Sequence, residues 1–346
     1  MPVVAVVTSS PSAVEGGHLV LARSLVEGLR AAGHDAHLVM TPDYGFGHQA
    51  SAYLATWRTD VSTIGGRRVD QVISLRYPSY AVRHPVHVCW LMHTMREYYD
   101  LWPQLTSSIS WPNLVKESAR KLAIHAADRW LLTRNVTRVV AESQTIQRRL
   151  AADFGIQADV VLPPPPQRPY RLDDYGDYIF AVSRLTRYKR FDLLVRALAD
   201  ASAAHVKAII AGEGEERQAL EDLARTLGVA DRVTFTGRID EQTMLNHLAR
   251  CRAVSFTPFA EDYGFVTVEA FASRKAVITC TDSGGPTELV KDDETGVICE
   301  PTPSSVAIAL ARLTDDRRLA ERLGSNAAAR AAAMSWDAAV RRLLIV

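Results

Sequence analysis

Cysteine is scarce in this chain: four in 346 residues, Cys89, Cys251, Cys280 and Cys299, far apart and with no Cys-x-x-Cys pair. That spacing indicates neither a disulfide framework nor a zinc site. Charge of one sign is also missing, since Lys plus Arg number 40 against 39 for Asp plus Glu, a net +1. Such a chain has no global field for gathering nucleic acid or lipid, so any polyanion site is local. No apolar stretch approaches the length that spans a bilayer. Pro2 to Val7 lacks a basic leader and reads as a first strand instead of a signal peptide, which makes a reducing cytoplasm the expected location. The loop after that strand is not the Gly-x-Gly-x-x-Gly dinucleotide fingerprint, so a nicotinamide enzyme loses its main support. Asp-x-Asp occurs nowhere, which removes a common magnesium or manganese clamp.

What remains is the composition of a globular protein, 47% hydrophobic and 23% charged, in a chain longer than one core usually covers. Val3 to Val7, Asp35 to Met40, Val69 to Leu75, Val86 to Met92 and Thr137 to Ala141 read as strands, the first a continuous β-branched run of the kind buried in a parallel sheet. Helical runs intervene, from His18 to Ala32 and from Gln144 to Phe154. The region between residues 41 and 68 has no clear period and is expected to be loops reaching toward an acceptor. Pro163 to Pro166 cannot continue helix or sheet, so this stiff segment marks the domain boundary, a PxxP ligand being the rival reading. A second alternation follows, with strands from Tyr178, Val206, Arg232, Ala253, Ala276 and Gly296. Two successive units of this kind imply an α/β protein of two doubly wound domains facing each other across a cleft.

Four loops carry chemistry. Thr257 to Glu269 runs from a strand through a Pro-Phe turn into a helix start, with Glu261 and Glu269 at its ends. Unpaired amides around Gly264, Phe265 and Val266 form a site for anionic oxygens, and the glycine permits close approach. Carboxylates beside an anion site accept hydrogen bonds from hydroxyls, and phosphate with hydroxyls points to a sugar nucleotide. Arg184, Arg187, Lys189 and Arg190 lie between a strand and a helix start, a local positive field suited to a diphosphate leaving group. Gly16 and Gly17 close the loop after the first strand, and His93 follows the strand Val88 to Met92 at its carboxyl end. Tyr98, Tyr99, Trp102 and Trp111 read as core packing beneath a loop, with sugar stacking as the alternative. Asn113 to Arg134 mixes cations with apolar residues; it reads as a surface helix packed on a sheet, or else as a basic amphipathic face for anionic lipid.

The paired glutamates flanking Gly264-Phe265-Val266, the loop Arg184-Leu185 to Lys189-Arg190-Phe191-Asp192, and Gly284-Gly285-Pro286-Thr287-Glu288 together resemble the retaining glycosyltransferases of family 4, which have the GT-B fold. The resemblance implies that Glu261 faces the donor sugar and that Gly264, Phe265 and Val266 hold sugar hydroxyls and diphosphate. It places Glu269 on the ribose, and Arg184 and Lys189 on the diphosphate. It also puts Gly16 and Gly17 over the donor phosphate and sugar, His93 on the sugar, and Arg238, after Gly237, beside the base. Arg190 stands where the family has glycine, which leaves the local backbone open. The implied domains are 1–164 on the acceptor side and 165–334 on the donor side, with a 335–346 helix returning toward the first. The implied reaction moves a hexose-type sugar from a UDP- or GDP-sugar to a glycan, lipid-linked or small-molecule acceptor. It proceeds with retention and with neither metal nor cofactor, the nucleotide sugar being a substrate. Nucleic acid is not an expected partner, whereas peripheral contact at the inner membrane face is a further expectation. The alternatives are a sugar-nucleotide epimerase on the same fold and an inactive sugar-nucleotide-binding partner protein.

Overall fold

A computed structural model describes residues 1–10, 16–107 and 109–345. The chain forms two compact units, one of Met1–Pro163 with Ser335–Val346 and one of Pro164–Met334, so the change of unit falls inside the proline run. In chain order the first unit contains β1 (Val3–Ser10), α1 (Gly17–Ala31), β2 (Asp35–Pro42), α2 (Gln49–Arg58), a small antiparallel pair β3 (Thr63–Ile64) and β4 (Arg67–Arg68), and β5 (Gln71–Ser74). There follow β6 (His87–Leu91), α3 (Trp102–Thr106), α4 (Trp111–Trp130), β7 (Arg138–Ala141), α5 (Gln144–Phe154) and β8 (Asp159–Val160). The second unit contains β9 (Tyr178–Val182), α6 (Phe191–Leu198), β10 (Lys207–Ala211), α7 (Arg217–Thr226), β11 (Val233–Gly237), α8 (Glu241–Arg250) and β12 (Ala253–Ser255). It continues with α9 (Phe265–Ala272), β13 (Val277–Cys280), α10 (Gly285–Leu289), β14 (Gly296–Cys299), α11 (Pro303–Asp315) and α12 (Arg317–Ala332), after which α13 (Trp336–Leu343) rejoins the first unit.

Each unit is built on a six-stranded parallel sheet, ordered β2-β1-β5-β6-β7-β8 in the first and β11-β10-β9-β12-β13-β14 in the second. Helices cover both faces, which is why β1, β5 and β6 are almost wholly buried; β1 runs apolar from Val3 to Val7 without alternation, while β5 and β6 also bury Gln71, Ser74 and His87. In the second unit Ile179, Phe191, Leu194, Ile210, Ile278 and Leu310 belong to one core cluster. In the first, Val3, Ala5, Val7 and Val72 pack together on one side. On the other, Tyr77, Tyr80, Tyr98 and Tyr99 enter a cluster with Ile124 and Leu132. Three phenols there serve one carboxylate: Asp128, fully buried on α4, accepts from Tyr53, from Tyr80 at 2.6 Å and from Tyr99 at 2.7 Å. Burial pushes the Asp128 carboxyl upward and those donors oppose it.

Two sequence expectations are corrected here. The stretch between 41 and 68 is not all loop, because α2 occupies Gln49–Arg58; its buried face is Gln49, Ala52 and Thr56, which are too small or polar to register as an apolar period. Trp111 is not core: Tyr98 and Tyr99 are buried, but Trp111 is 75% exposed. The four cysteines are free thiols, three of them buried. Ser335 caps α13 through the Ala338 amide, and Trp336 lies edge-on to Trp90 at 6.3 Å. Gln71 completes the attachment, donating to the Leu343 carbonyl and accepting from the Ile345 amide, each at 2.9 Å.

Candidate active site

In the second unit the chain steps outward from β9 to β10 and β11, then returns to β12, β13 and β14 on the opposite side of β9. The loops after β9 and β12 therefore diverge at the switch point, the place where open parallel sheets hold ligands. Lys189 stands on the first loop and Glu261 on the second. The Lys189 ammonium donates to both carboxylate oxygens of Glu261, at 2.7 and 2.6 Å, and lies 5.4 Å from the Phe256 ring centroid. A phosphate oxygen entering here competes with Glu261 for Lys189, and each bond it takes releases a carboxylate oxygen for a hydroxyl donor.

The loops are wired together by Arg190. Its backbone is left-handed, φ 50° and ψ 42°, the conformation that glycine supplies most cheaply. The open question of local geometry is thus answered: the arginine keeps a glycine-like turn and adds a side-chain clamp. Its guanidinium donates to the carbonyls of Thr257 and Pro258, both at 2.8 Å, and to both oxygens of Asp282, at 2.8 and 2.7 Å. Three loops, after β9, β12 and β13, are joined by one side chain. The Asp282–Gly285 segment in turn holds Glu261, whose amide donates to the Ser283 carbonyl at 2.9 Å and whose carbonyl accepts from Gly285 at 2.8 Å.

Gly264 begins α9 with φ 93°, and a Cβ there would stand 2.9 Å from Pro286 and 3.0 Å from Phe256. Only glycine fits, and the amides of Phe265 and Val266 open the helix without intrahelical partners. One turn on, Glu269 is buried and bound by Arg168, with the Tyr170 hydroxyl at 3.3 Å. Burial raises the Glu269 carboxyl above its ordinary value, against the pull of Arg168. Arg168 also reaches Glu241 at 2.8 Å, so one guanidinium bridges two acids. Sequence reasoning missed Arg168 and Tyr170, which follow the proline run and read as linker.

Arg184 is exposed at the end of β9 and bonds to neither glutamate. Arg238 is exposed beyond β11, its amide donating to Glu213 at 3.3 Å. Close packing at these strand ends relies on Gly212, where a Cβ would lie 1.8 Å from the Ser183 carbonyl. Lys189, Glu261 and the start of α9 are therefore brought together, while Arg184 and Arg238 border other parts of the same sheet end.

In the first unit the switch point falls at β1, which has β2 on one side and β5 on the other. Gly16 is the extended residue before α1 and Gly17 its first helical residue; residues 11–15 lie outside the described residues. Arg76, after β5, donates to the Ser9 carbonyl at 3.1 Å and to Asp43 at 3.2 Å, tying the ends of β1, β2 and β5; the sequence reading overlooked it. His93 lies beyond β6, two strands from β1, with Nδ1 2.8 Å from the Thr94 carbonyl. A carbonyl can only accept, so Nδ1 carries the proton and Nε2 is left as an acceptor. Burial, with Arg76 nearby, holds the imidazole down at about 3, so it is neutral at ordinary pH.

Residues 167–330 match the model of the glycosyl transferases group 1 family. Over nearly its whole length the second unit is therefore similar to the group 1 glycosyltransferases. The whole chain shares the GT-B fold with the solved Anabaena HepE in complex with UDP and glucose, at TM-score 0.72 and 18% identity, over 99% of this chain and 98% of that one. Among curated relatives, the uncharacterized glycosyltransferase MJ1607 of Methanocaldococcus jannaschii is 31% identical over 163 residues, 46% of this chain and 42% of its own. A D-inositol 3-phosphate glycosyltransferase of Nocardia farcinica is 32% identical over 232 residues, 60% of this chain and 51% of its own. The chain thus spans about half the length, or less, of the curated relatives it matches. Lys189, Arg190, Glu261 and Glu269 all lie inside the matched residues.

Proposed function

We propose that this protein is a retaining glycosyltransferase of family 4 that moves a hexose-type sugar from a nucleotide-diphospho-sugar to a glycan, lipid-linked or small-molecule acceptor. The observation that carries the reading is the Lys189–Glu261 pair at the switch point of the unit similar to the group 1 glycosyltransferases, next to the first turn of α9. Departure of the diphosphate leaves an oxocarbenium-like sugar, so the rate depends on stabilising negative charge on the leaving group. Lys189 and the α9 amides supply that stabilisation, with Arg184 joining from its exposed position once donor is bound. Glu261 accepts from the sugar hydroxyls and Glu269, steadied by Arg168, from the ribose. Neutral His93 offers Nε2 to a sugar hydroxyl and Gly16 with Gly17 covers the phosphate side. The acceptor attacks from the face the diphosphate leaves, its proton passing to a phosphate oxygen. HepE, crystallised with UDP and glucose, makes a UDP-sugar the first donor to try.

The test is a panel of UDP- and GDP-sugars, read by thermal stabilisation and by release of free nucleotide diphosphate in the presence of acceptor mixtures. A donor at 100 times its dissociation constant adds about 2.7 kcal/mol of stability. Nuclear magnetic resonance of the product reads the anomeric configuration, and turnover in chelator reads the metal requirement. Stabilisation by no sugar nucleotide would overturn the reading; sugar exchange on the nucleotide without transfer would replace it with an epimerase.

A further inference from the structure

The four cysteines stand far apart in sequence, but strand order sets two of them side by side. Cys280 ends β13 and Cys299 ends β14, and the register of these parallel strands makes the two residues direct partners. Neighbouring strands lie about 4.8 Å apart, within the range of Cα separations that a disulfide joins, and register partners point their side chains to the same face. Cys280 is buried and Cys299 half-buried. The two thiols hydrogen-bond one another; that bond holds Cys299 below the ordinary thiol range and Cys280 above it, and the Arg190 guanidinium favours the thiolate of both. Cys89 and Cys251 differ, because burial pushes each up to about 12 and keeps it an unreactive thiol.

This pair sits at the root of the loop that steadies the candidate site. The Cys280 amide donates to the Ser283 hydroxyl at 3.2 Å, and the Ser283 amide donates back to the Cys280 carbonyl at 3.0 Å. The Thr281 amide donates to the Cys299 carbonyl at 3.0 Å. Immediately beyond, Asp282 receives the Arg190 guanidinium and the Ser283 carbonyl receives the Glu261 amide. A disulfide needs its Cβ atoms about 3.8 Å apart, closer than the strands themselves, so closing one leans the two strand ends together by about 1 Å. A shift of that size in groups that position a reactant lowers the rate by up to about 100-fold.

We propose that Cys280 and Cys299 are an oxidation site, closing to a disulfide that loosens the Asp282–Gly285 loop and lowers turnover, the effect on turnover resting on the function proposed above. The Cys299 thiolate attacks one sulfur of a small-molecule disulfide, forming a mixed disulfide and releasing one small thiolate. Cys280, losing its proton, then attacks the Cys299 sulfur and the second small thiolate leaves. Two protein thiols are oxidised by two electrons, and one small disulfide becomes two thiols that carry the two protons.

The full chain treated with oxidised glutathione and digested with trypsin should yield peptides 276–291 and 292–312 joined, and dithiothreitol should separate them. In the oxidised protein the amides of residues 282–288 should exchange hydrogen at least about tenfold faster, and donor kcat/KM should fall about 10- to 100-fold, both restored by reduction. Cys299→Ser should keep the parent rate and melting temperature and give no response to oxidation. Absence of the cross-link, a glutathione adduct that stays on Cys299, or a cross-link that leaves amide exchange or kcat/KM unchanged would overturn the proposal. Cross-link and exchange are read without donor, so a reduced protein that transfers no sugar would count against the glycosyltransferase reading alone.

Discussion

Replacing Arg190 by glycine tests which of two opposing effects governs the candidate site. Glycine removes the strain of a left-handed arginine, a relief of about 1–2 kcal/mol. It also deletes four hydrogen bonds, two to the Thr257 and Pro258 carbonyls and two to Asp282. The ion pair is only partly shielded, with the arginine side chain 17% and the aspartate 34% exposed, so its bonds count as ordinary ones. At about 1 kcal/mol each the loss is about 4 kcal/mol, and the freer unfolded chain adds about 0.5–1. The net expectation is destabilisation of about 3 kcal/mol, or a melting point lower by about 6–12 °C for a unit of this size. Donor kcat/KM should fall at least about tenfold in the same variant, because the loops bearing Lys189 and Glu261 lose their tie. Arg190→Lys, able to reach Asp282 without spanning both carbonyls, should melt between the two. Calorimetry and initial rates on the three proteins provide the measurement. An Arg190→Gly protein as stable as the parent would refute the clamp and leave strain as the dominant effect.

Lys189→Ala should lower turnover about 10²–10³-fold with the circular dichroism spectrum unchanged, and parent rates would remove Lys189 from the leaving-group site. Asp128→Asn places an amide among three phenol donors and should cost about 1–3 kcal/mol in urea unfolding; Tyr80→Phe, which removes one donor, should cost about 1 kcal/mol. His87 is fully buried against the Ser74 hydroxyl at 2.8 Å, and burial holds its imidazole down at about 3. Its folded value is depressed, so below about 6.5 the unfolded chain takes a proton that the folded one refuses, and stability falls by about 1.4 kcal/mol per pH unit toward 3. Acid unfolding of His87→Gln should show that slope flattened, and an identical profile would count against the assignment.

The strands were legible because parallel strands buried on both faces must read as apolar runs, and the proline segment was legible because no regular structure admits it. The Lys189–Glu261 contact, 72 residues apart in sequence, was anticipated only in outline. Strand order, which brings β9 beside β12, leaves no periodic mark on either segment. Arg168 and Tyr170 reach Glu269 across 101 and 99 residues, and the Arg76–Asp43 tie was invisible for the same reason. Arg190 looked like a departure from a glycine position, yet its φ of 50° keeps the turn.

The return of α13 to the first unit bears on how the chain is made. Its residues Ala339, Val340 and Leu343 are buried, and Trp336 covers Gly28. A nascent chain emerging from the ribosome therefore holds the first unit unfinished, its sheet complete but the Gly28 side of α1 bare, until every residue of the second unit has been translated. A holdase chaperone would meet that bare face, and deleting the final helix would prolong the encounter.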